Sequence, residues 1–447
     1  MYETKAGGGT AREQGKRMKG MSSGHMMKAL AVTVATGLLG LSACSRDYTL
    51  AYVYATSATR TTNGVINAYS VDYQSGALQQ LPDSPIPSGG SNPVTLVASP
   101  SGKYLYVLNH DTSTVVQFDI GTDGKLYPEN TYNVVQGSGA TGTFPTAAAI
   151  DAAGKYLYVA FTYQNGFTTA TPGPGGIAIF PIGSDGSLGT AVTNTTVGTT
   201  IALPYVPVGF NPVGIVASAY NNYVYVVEQD TTVANGVSTQ TGTILAFSEN
   251  TSTGALTPVV GTVPVTVNVA TGATLTGFRA GTKPSAIVED PSARFVYVTD
   301  QLTDQLYGYG VTSTGALASI PSSPFSTGNF PLGLTIDPRG AYVYVANFGD
   351  STLSGYAINT ATGALSGVSG SSGGGVSTGP TCVTVEPALG KYLYTSNNTD
   401  PTISAAQLNP NTGALTGVQG TPYTAQVLPT CVVSVANGSH ATQLVTP

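Results

Sequence analysis

The chain has 447 residues, 16 Lys+Arg against 22 Asp+Glu, and a formal net charge of −6 at pH 7. Charged residues are only 9% and apolar ones 41%, which excludes a disordered chain, rich in charge and poor in apolar groups. Beyond Cys44, ten cations face twenty carboxylates, which excludes the basic patch that nucleic-acid phosphates require.

Residues 1–43 differ from the rest. Lys16, Arg17, Lys19 and Lys28 precede an apolar stretch from Ala29 to Leu41. At about thirteen residues this stretch is short for a membrane-spanning helix and has the length of a signal-peptide core. It ends Leu41-Ser42-Ala43-Cys44, which resembles a bacterial lipobox. That resemblance implies a lipidated Cys44 as the mature N-terminus. Met26 or Met27 is an alternative start, because Met27-Lys28 already opens a complete signal. Ser45 after the cysteine resembles lipoproteins sent to the outer membrane of the cell envelope. Residues 44–50 would then be a short tether holding the following domain close to the bilayer, with several acyl chains giving firm anchoring.

From residue 51 to 447 one pattern repeats. Its tyrosine-rich cores are Tyr52-Val53-Tyr54, Tyr104-Leu105-Tyr106, Tyr156-Leu157-Tyr158, Tyr223-Val224-Tyr225, Phe295-Val296-Tyr297, Tyr342-Val343-Tyr344 and Tyr392-Leu393-Tyr394. Six of the seven follow a segment led by a proline: Pro93, Pro145, Pro212, Pro284, Pro331 and Pro380. A further such segment, Pro429-Thr430-Cys431-Val432-Val433, lacks a tyrosine core, and the first core lacks a proline segment. The two fragments complement each other. β-branched and aromatic runs bounded by Gly turns predict strands. The turns include Ser101-Gly102 and the Thr-Gly-Ala-Leu sequences at Thr253, Thr314, Thr362 and Thr412. The expected fold is all-β: one seven-bladed β-propeller of four-stranded antiparallel blades, its ring closed by the C-terminal strand pairing into the N-terminal blade. A solenoid is the weaker alternative, since it needs no complementary ends. A monomer is expected.

Strand alternation puts each leading proline and the end of each tyrosine strand on one face, here called the top. The repeat lengthens at 161–176, 188–211, 231–242 and 257–283, all expected to reach the top of blades 3 to 5, where loops on a rigid frame carry function. Five residues after each first aromatic stand Ser57, Asn109, Phe161, Glu228, Asp300, Asn347 and Asn397. The asparagines read as turn-formers bonding their own backbone. Glu228 and Asp300 bring charge to adjacent blades, and Arg279 and Lys283 lie in the loop between them. They are candidates for a polar site with Gln229 and Asp230, or for a salt-bridged rim. His110, followed by Asp111, is the one plausible imidazole base, since His25 lies in the leader and His440 in the tail. Cys382 and Cys431 occupy equivalent positions in neighbouring blades and are either bonded or small apolar filler. No spacing supports a metal site, and no cofactor is implied.

The repeat Asp337-Pro338-Arg339-Gly340-Ala341-Tyr342-Val343-Tyr344-Val345-Ala346-Asn347 resembles the Tyr-Val-Thr-Asn type. The whole set resembles the lactonase-type seven-bladed propeller family, which includes the propeller form of 6-phosphogluconolactonase. The resemblance implies a Pro-Arg-His motif at the start of a middle blade and an Asn-Glu after its tyrosine strand. The matching segments here are Pro212-Val213-Gly214 and Glu228-Gln229, without the Arg or the His. Two functions are therefore expected. The first is an exported, lipid-anchored propeller binding a protein partner or small polar ligand through the top loops of blades 3 to 5. The alternative is a lactonase using Glu228, Asp300 or His110 with Arg279 or Lys283.

Overall fold

The computed structural model describes residues 49–58, 63–135, 142–195, 202–234, 237–373 and 375–438. The leader, Cys44 and all but the end of the tether lie outside them.

Each tyrosine core is the centre of a strand such as Tyr342–Asn347, buried along its whole length. A strand covered on both faces can be apolar at every position rather than alternating, and each blade here is covered by a neighbour on each side. The chain makes seven antiparallel blades. Blade 1 pairs Leu428–Ala436 with Thr49–Ala58 and Asn63–Asp72, in a register that sets Tyr52 beside Val435 and Tyr54 beside Val433. The C-terminal strand thus supplies the inner strand of the first blade, as the complementary fragments require. The inner strands Pro93–Ala98, Gly142–Ile150, Pro212–Ala217, Pro284–Glu289, Pro331–Ile336, Pro380–Val385 and Leu428–Ala436 are neighbours all the way round. Among the described residues the apolar core divides into seven clusters, each shared by two adjacent blades.

The tyrosines repeat because each reaches the next blade. Tyr54, Tyr106, Tyr225, Tyr297, Tyr344 and Tyr394 donate their hydroxyls to the carbonyls of Gly124, Gly186, Gly315, Gly363, Gly413 and Gly76, at 2.7–3.2 Å. These glycines have φ between +72° and +78°. A Cβ on any of them would fall 2.2–2.5 Å from the first aromatic ring of the preceding blade. Both the backbone conformation and the close ring therefore demand glycine. Tyr394 to Gly76 is the bond that carries the pattern from blade 7 back to blade 1.

Every inner strand carries a bulge at the residue after its proline. The extra residue is re-aimed out of the pleat. Thr146, Ser285, Thr381 and Thr430 use that position to donate to Pro212, Pro331, Thr430 and Pro93 carbonyls on the next blade, at 2.6–2.9 Å. Cys382 and Cys431 follow on the same converging strands. Their Cα atoms are 4.9 Å apart and the sulfurs are bonded, joining blade 7 to blade 1.

Two of the insertions form strands rather than open loops. Residues Val206–Phe210 form the outer strand of blade 3, pairing with Pro174–Pro181. Val263–Asn268 and Ala273–Arg279 make a hairpin on the outer edge of blade 4, where the Val267 carbonyl accepts from Gln164 Nε2 at 3.2 Å at the top end of blade 3. Extra length was spent on outer strands, because blades 3 and 4 still needed edges covered.

Candidate functional site

The seven residues that close the tyrosine strands pair with the leading prolines, as in Pro212 opposite Glu228 and Pro284 opposite Asp300. All seven are fully buried, which corrects the expectation of a solvent-facing rim. The asparagines do not cap their own backbone either. Asn109 accepts from the Ser88 hydroxyl at 2.9 Å and donates to the Ser88 carbonyl, on the outer strand of blade 1. Asn347 donates to Thr352 and Ser354, and Asn397 to Thr402 and Ser404, on their neighbouring strands.

Asp300 is saturated by backbone. One oxygen accepts from the Thr282 and Lys283 N–H groups, the other from Leu302 at 2.9 Å and Thr303 at 3.2 Å. It staples the incoming loop to its own turn. Glu228 and Asp230 lie two apart on one strand and so face the same way. Oε2 of Glu228 accepts from Gly209 N–H at 2.7 Å, and Asp230 from Phe210 N–H at 3.0 Å. Gly209 lets the backbone come this close, since a Cβ there would fall 2.5 Å from Asp230 Oδ1 and 2.7 Å from Glu228 Oε1. Burial, reinforced by the Asp230 charge, pushes the Glu228 carboxyl well up, and burial raises Asp230 as well. Gln229 points the other way, accepting from Asn211 and donating to the Pro284 carbonyl at 2.6 Å. Arg279 is exposed and Lys283 half-buried. Neither is ion-paired to Glu228 or Asp300 among the described residues.

The structure therefore does not gather the expected set. It does assemble a different one on the top of blades 2 and 3. His110 Nδ1 is 2.7 Å from Asp111 Oδ1, with the two side chains 30% and 55% exposed. A carboxylate only accepts, so Nδ1–H donates and a neutral ring keeps its lone pair on Nε2. Asn92 donates to the same Asp111 oxygen at 3.1 Å. Burial works to raise the Asp111 carboxyl, but the bonds from His110 and Asn92 hold it below its ordinary value. Phe144 stacks on the imidazole, ring centroids 4.8 Å apart at 22°, and Tyr163 meets Phe144 edge-on at 5.8 Å. These two aromatics were missed in the sequence, although Phe144 stands where blades 2 and 4 have Asn92 and Asn211.

A cavity of about 390 Å³ opens on the opposite face, between the inner strands of blades 1 and 2, and its lining holds no ionisable side chain. It offers no proton-transfer chemistry.

The family model for the seven-bladed β-propeller lactonases matches residues 52–202 and 225–385. The chain belongs to that lactonase family. No protein of curated function matches it. Among solved structures it is similar to a Bacteroides uniformis protein provisionally named a 6-phosphogluconolactonase, with 18% identity, a TM-score of 0.62, and coverage of 87% of this chain and 100% of that one. The periplasmic gluconolactonase of Pseudomonas aeruginosa is also similar, with 18% identity, a TM-score of 0.60, and coverage of 87% and 99%. Such identities speak for the fold alone. In this lactonase-family propeller, Gly214 occupies the place where the resemblance puts a histidine. A Cβ there would already lie 3.0 Å from both Ile287 and Val227 side-chain atoms, so a side chain at this position would have to push those neighbours aside.

Proposed function

We propose that this protein is a lactone hydrolase whose general base is His110. The observation that carries the reading is the 2.7 Å His110–Asp111 pair on a lactonase-family ring. Asp111 holds the ring so that Nε2 takes a proton from water. The hydroxide adds to the lactone carbonyl. The tetrahedral species then collapses by breaking the ring C–O bond, and Nε2–H returns its proton to the departing alkoxide, leaving a hydroxy acid. General-base assistance of this kind is worth roughly 10²–10⁴-fold. Glu228 and Asp300 take no part, since their carboxylates are buried and turned into backbone N–H groups. We also propose that the enzyme is exported and anchored through lipidated Cys44, probed by palmitate labelling that a Cys44→Ala variant should lose. The similar Pseudomonas protein is itself named a periplasmic gluconolactonase, so export and a lactonase name already coexist on this fold.

The deciding experiment is titration of acid released from glucono-δ-lactone, above the spontaneous rate, by wild type and by His110→Asn. Turnover that falls at least a hundredfold in the variant supports the reading. Equal turnover removes His110 from it. A second reading, ligand capture at the top of blades 3 to 5, is favoured by the exposed Arg279 beside Lys283, neither paired to Glu228 or Asp300. It gains if wild type never exceeds the spontaneous rate while an anionic ligand binds and Arg279→Ala abolishes that binding.

A further inference from the structure

At five of the seven blade entries the residue just before the leading proline is left-handed: Asn92 at φ +54°, Phe144 at +62°, Asn211 at +46°, Phe330 at +53° and Gly379 at +66°. At four of these entries the carbonyl of that residue meets the end of the tyrosine strand, accepting from His110 N–H in blade 2, Gln229 in blade 4, Phe348 in blade 6 and Asn398 in blade 7; in blade 5 the Lys283 carbonyl makes the same bond to Gln301 N–H without left-handed backbone, so the conformation recurs without being obligatory. In blade 3 the Phe144 carbonyl accepts from the Thr162 hydroxyl at 3.1 Å. Gly and Asn adopt left-handed backbone readily. A bulky aromatic does so at a cost, and a residue before proline is further biased toward extended backbone. Three entries use the residue types that suit the geometry. Two use phenylalanine, which does not.

Strain of this kind persists where the side chain earns its place. Phe330 tilts against Phe348, with ring centroids 6.0 Å apart, in a neighbourhood without an imidazole in ring contact. Phe144 instead lies almost parallel to His110 at 4.8 Å. Its own position is fixed from two sides, by Tyr163 edge-on and by the bond from its N–H to the Ser113 hydroxyl at 3.1 Å. The imidazole is thus clamped in two directions: Asp111 fixes the ring in its plane and Phe144 fixes its tilt. We infer that Phe144 is a positioning residue for His110, kept in an unfavourable backbone conformation so that Nε2 points in one direction. This inference rests on the proposed role of His110 and adds a residue that touches neither water nor substrate in that scheme.

The test compares Phe144→Asn with Phe330→Asn. Both install the residue found at equivalent entries and both relieve the same backbone conformation, so both should fold. Phe144→Asn should lower kcat for glucono-δ-lactone by roughly a hundredfold, as loss of alignment does, with KM within about twofold of wild type. Phe144→Tyr keeps the stacked face and should restore kcat. Phe330→Asn should leave kcat unchanged. A readout independent of turnover is the His110 ring proton signal in the proton NMR spectrum, which the Phe144 ring current shifts upfield and which should move downfield in Phe144→Asn alone. If that signal stays in place, or if kcat survives in Phe144→Asn while His110→Asn abolishes it, the inference falls and the catalytic reading stands. If wild type has no activity but the signal still moves, the stacking clamp stands and the catalytic reading falls.

Discussion

Glu289 ends the inner strand of blade 5, where its carboxylate accepts from the Ala219 N–H of blade 4 at 3.1 Å while its other oxygen is buried without a partner. Burial pushes this carboxyl up to about 7 from the ordinary 4.5. Between those two values the unfolded chain has released the proton and the folded chain still holds it, so raising the pH favours unfolding. The contribution is complete below about pH 4.5 and is lost as pH rises through about 7, to an extent of about 3 kcal/mol. Glu228, Asp230, Glu249 and Glu386 are raised too, burial being the first cause of each, and they act in the same direction. Thermal melts should therefore give a lower Tm at pH 8 than at pH 5. Glu289→Gln, which keeps the shape and cannot ionise, should flatten that slope. A variant as steep as wild type would remove Glu289 as its source. The same burial explains why the most conspicuous charges in the repeat misled. Glu228 and Asp300 break the asparagine pattern, and aligned sequence displays the break, but depth is a tertiary property. An aspartate stands at position 300 because its two oxygens accept from four converging backbone N–H groups. Phe144 attracted no notice, because an apolar residue in a loop is ordinary until its φ is known.

Strand and turn are coupled between blades rather than within them. The second tyrosine of a blade donates to the turn glycine of the next in six cases. Blade 3 departs: the Tyr158 hydroxyl has no carbonyl partner and lies beside the Glu249 carboxylate; burial raises both groups, and the pairing pushes Tyr158 further up while it partly lowers Glu249. The two cases predict different costs for the same chemical change. Tyr344→Phe deletes a 2.7 Å bond and leaves the Gly413 carbonyl buried without that donor, so it should cost about 1–2 kcal/mol in equilibrium denaturation. Tyr158→Phe removes a hydroxyl that satisfies no carbonyl and should be nearly neutral. Equal losses would refute the carbonyl bond as the reason the tyrosine repeats. The tyrosine and the glycine were each legible as repeating units, since both recur at fixed places. Their partnership was not, because it crosses from one repeat to the next. Outer strands were harder still: Val206–Phe210 and the Val263–Arg279 hairpin sit in the stretches where the repeat is interrupted, and interruption looks the same whether it becomes loop or edge strand.

A closed ring of blades has one seam, where the first and last segments of the chain must meet. Here the seam lies in blade 1 and at its junction with blade 7. Across it run the ladder between Thr49–Ala58 and Leu428–Ala436, the Tyr394–Gly76 bond, the paired Thr381–Thr430 and Thr430–Pro93 bonds, and the Cys382–Cys431 disulfide. The other inner-strand junctions have Thr95, Ala147, Gly214, Ala286 and Gly333 at the cysteine position. Among the described residues only the junction of blades 7 and 1 carries a disulfide: it ties the last strand, Leu428–Ala436, to the inner strand of blade 7, while the ladder from that strand to Thr49–Ala58 is held by hydrogen bonds alone, and losing the last strand there opens the whole ring. With the cysteines 49 positions apart in sequence, loop-closure entropy sets the stabilisation at about 4 kcal/mol. Reduction, or Cys382→Ser with Cys431→Ser, should lower the unfolding midpoint accordingly. Because the seam opens first, hydrogen exchange in the reduced protein should quicken in Leu428–Ala436 and Thr49–Ala58 before it quickens in the inner strand of blade 5. Uniform acceleration round the ring would instead mean that the disulfide stabilises the fold without guarding its closure.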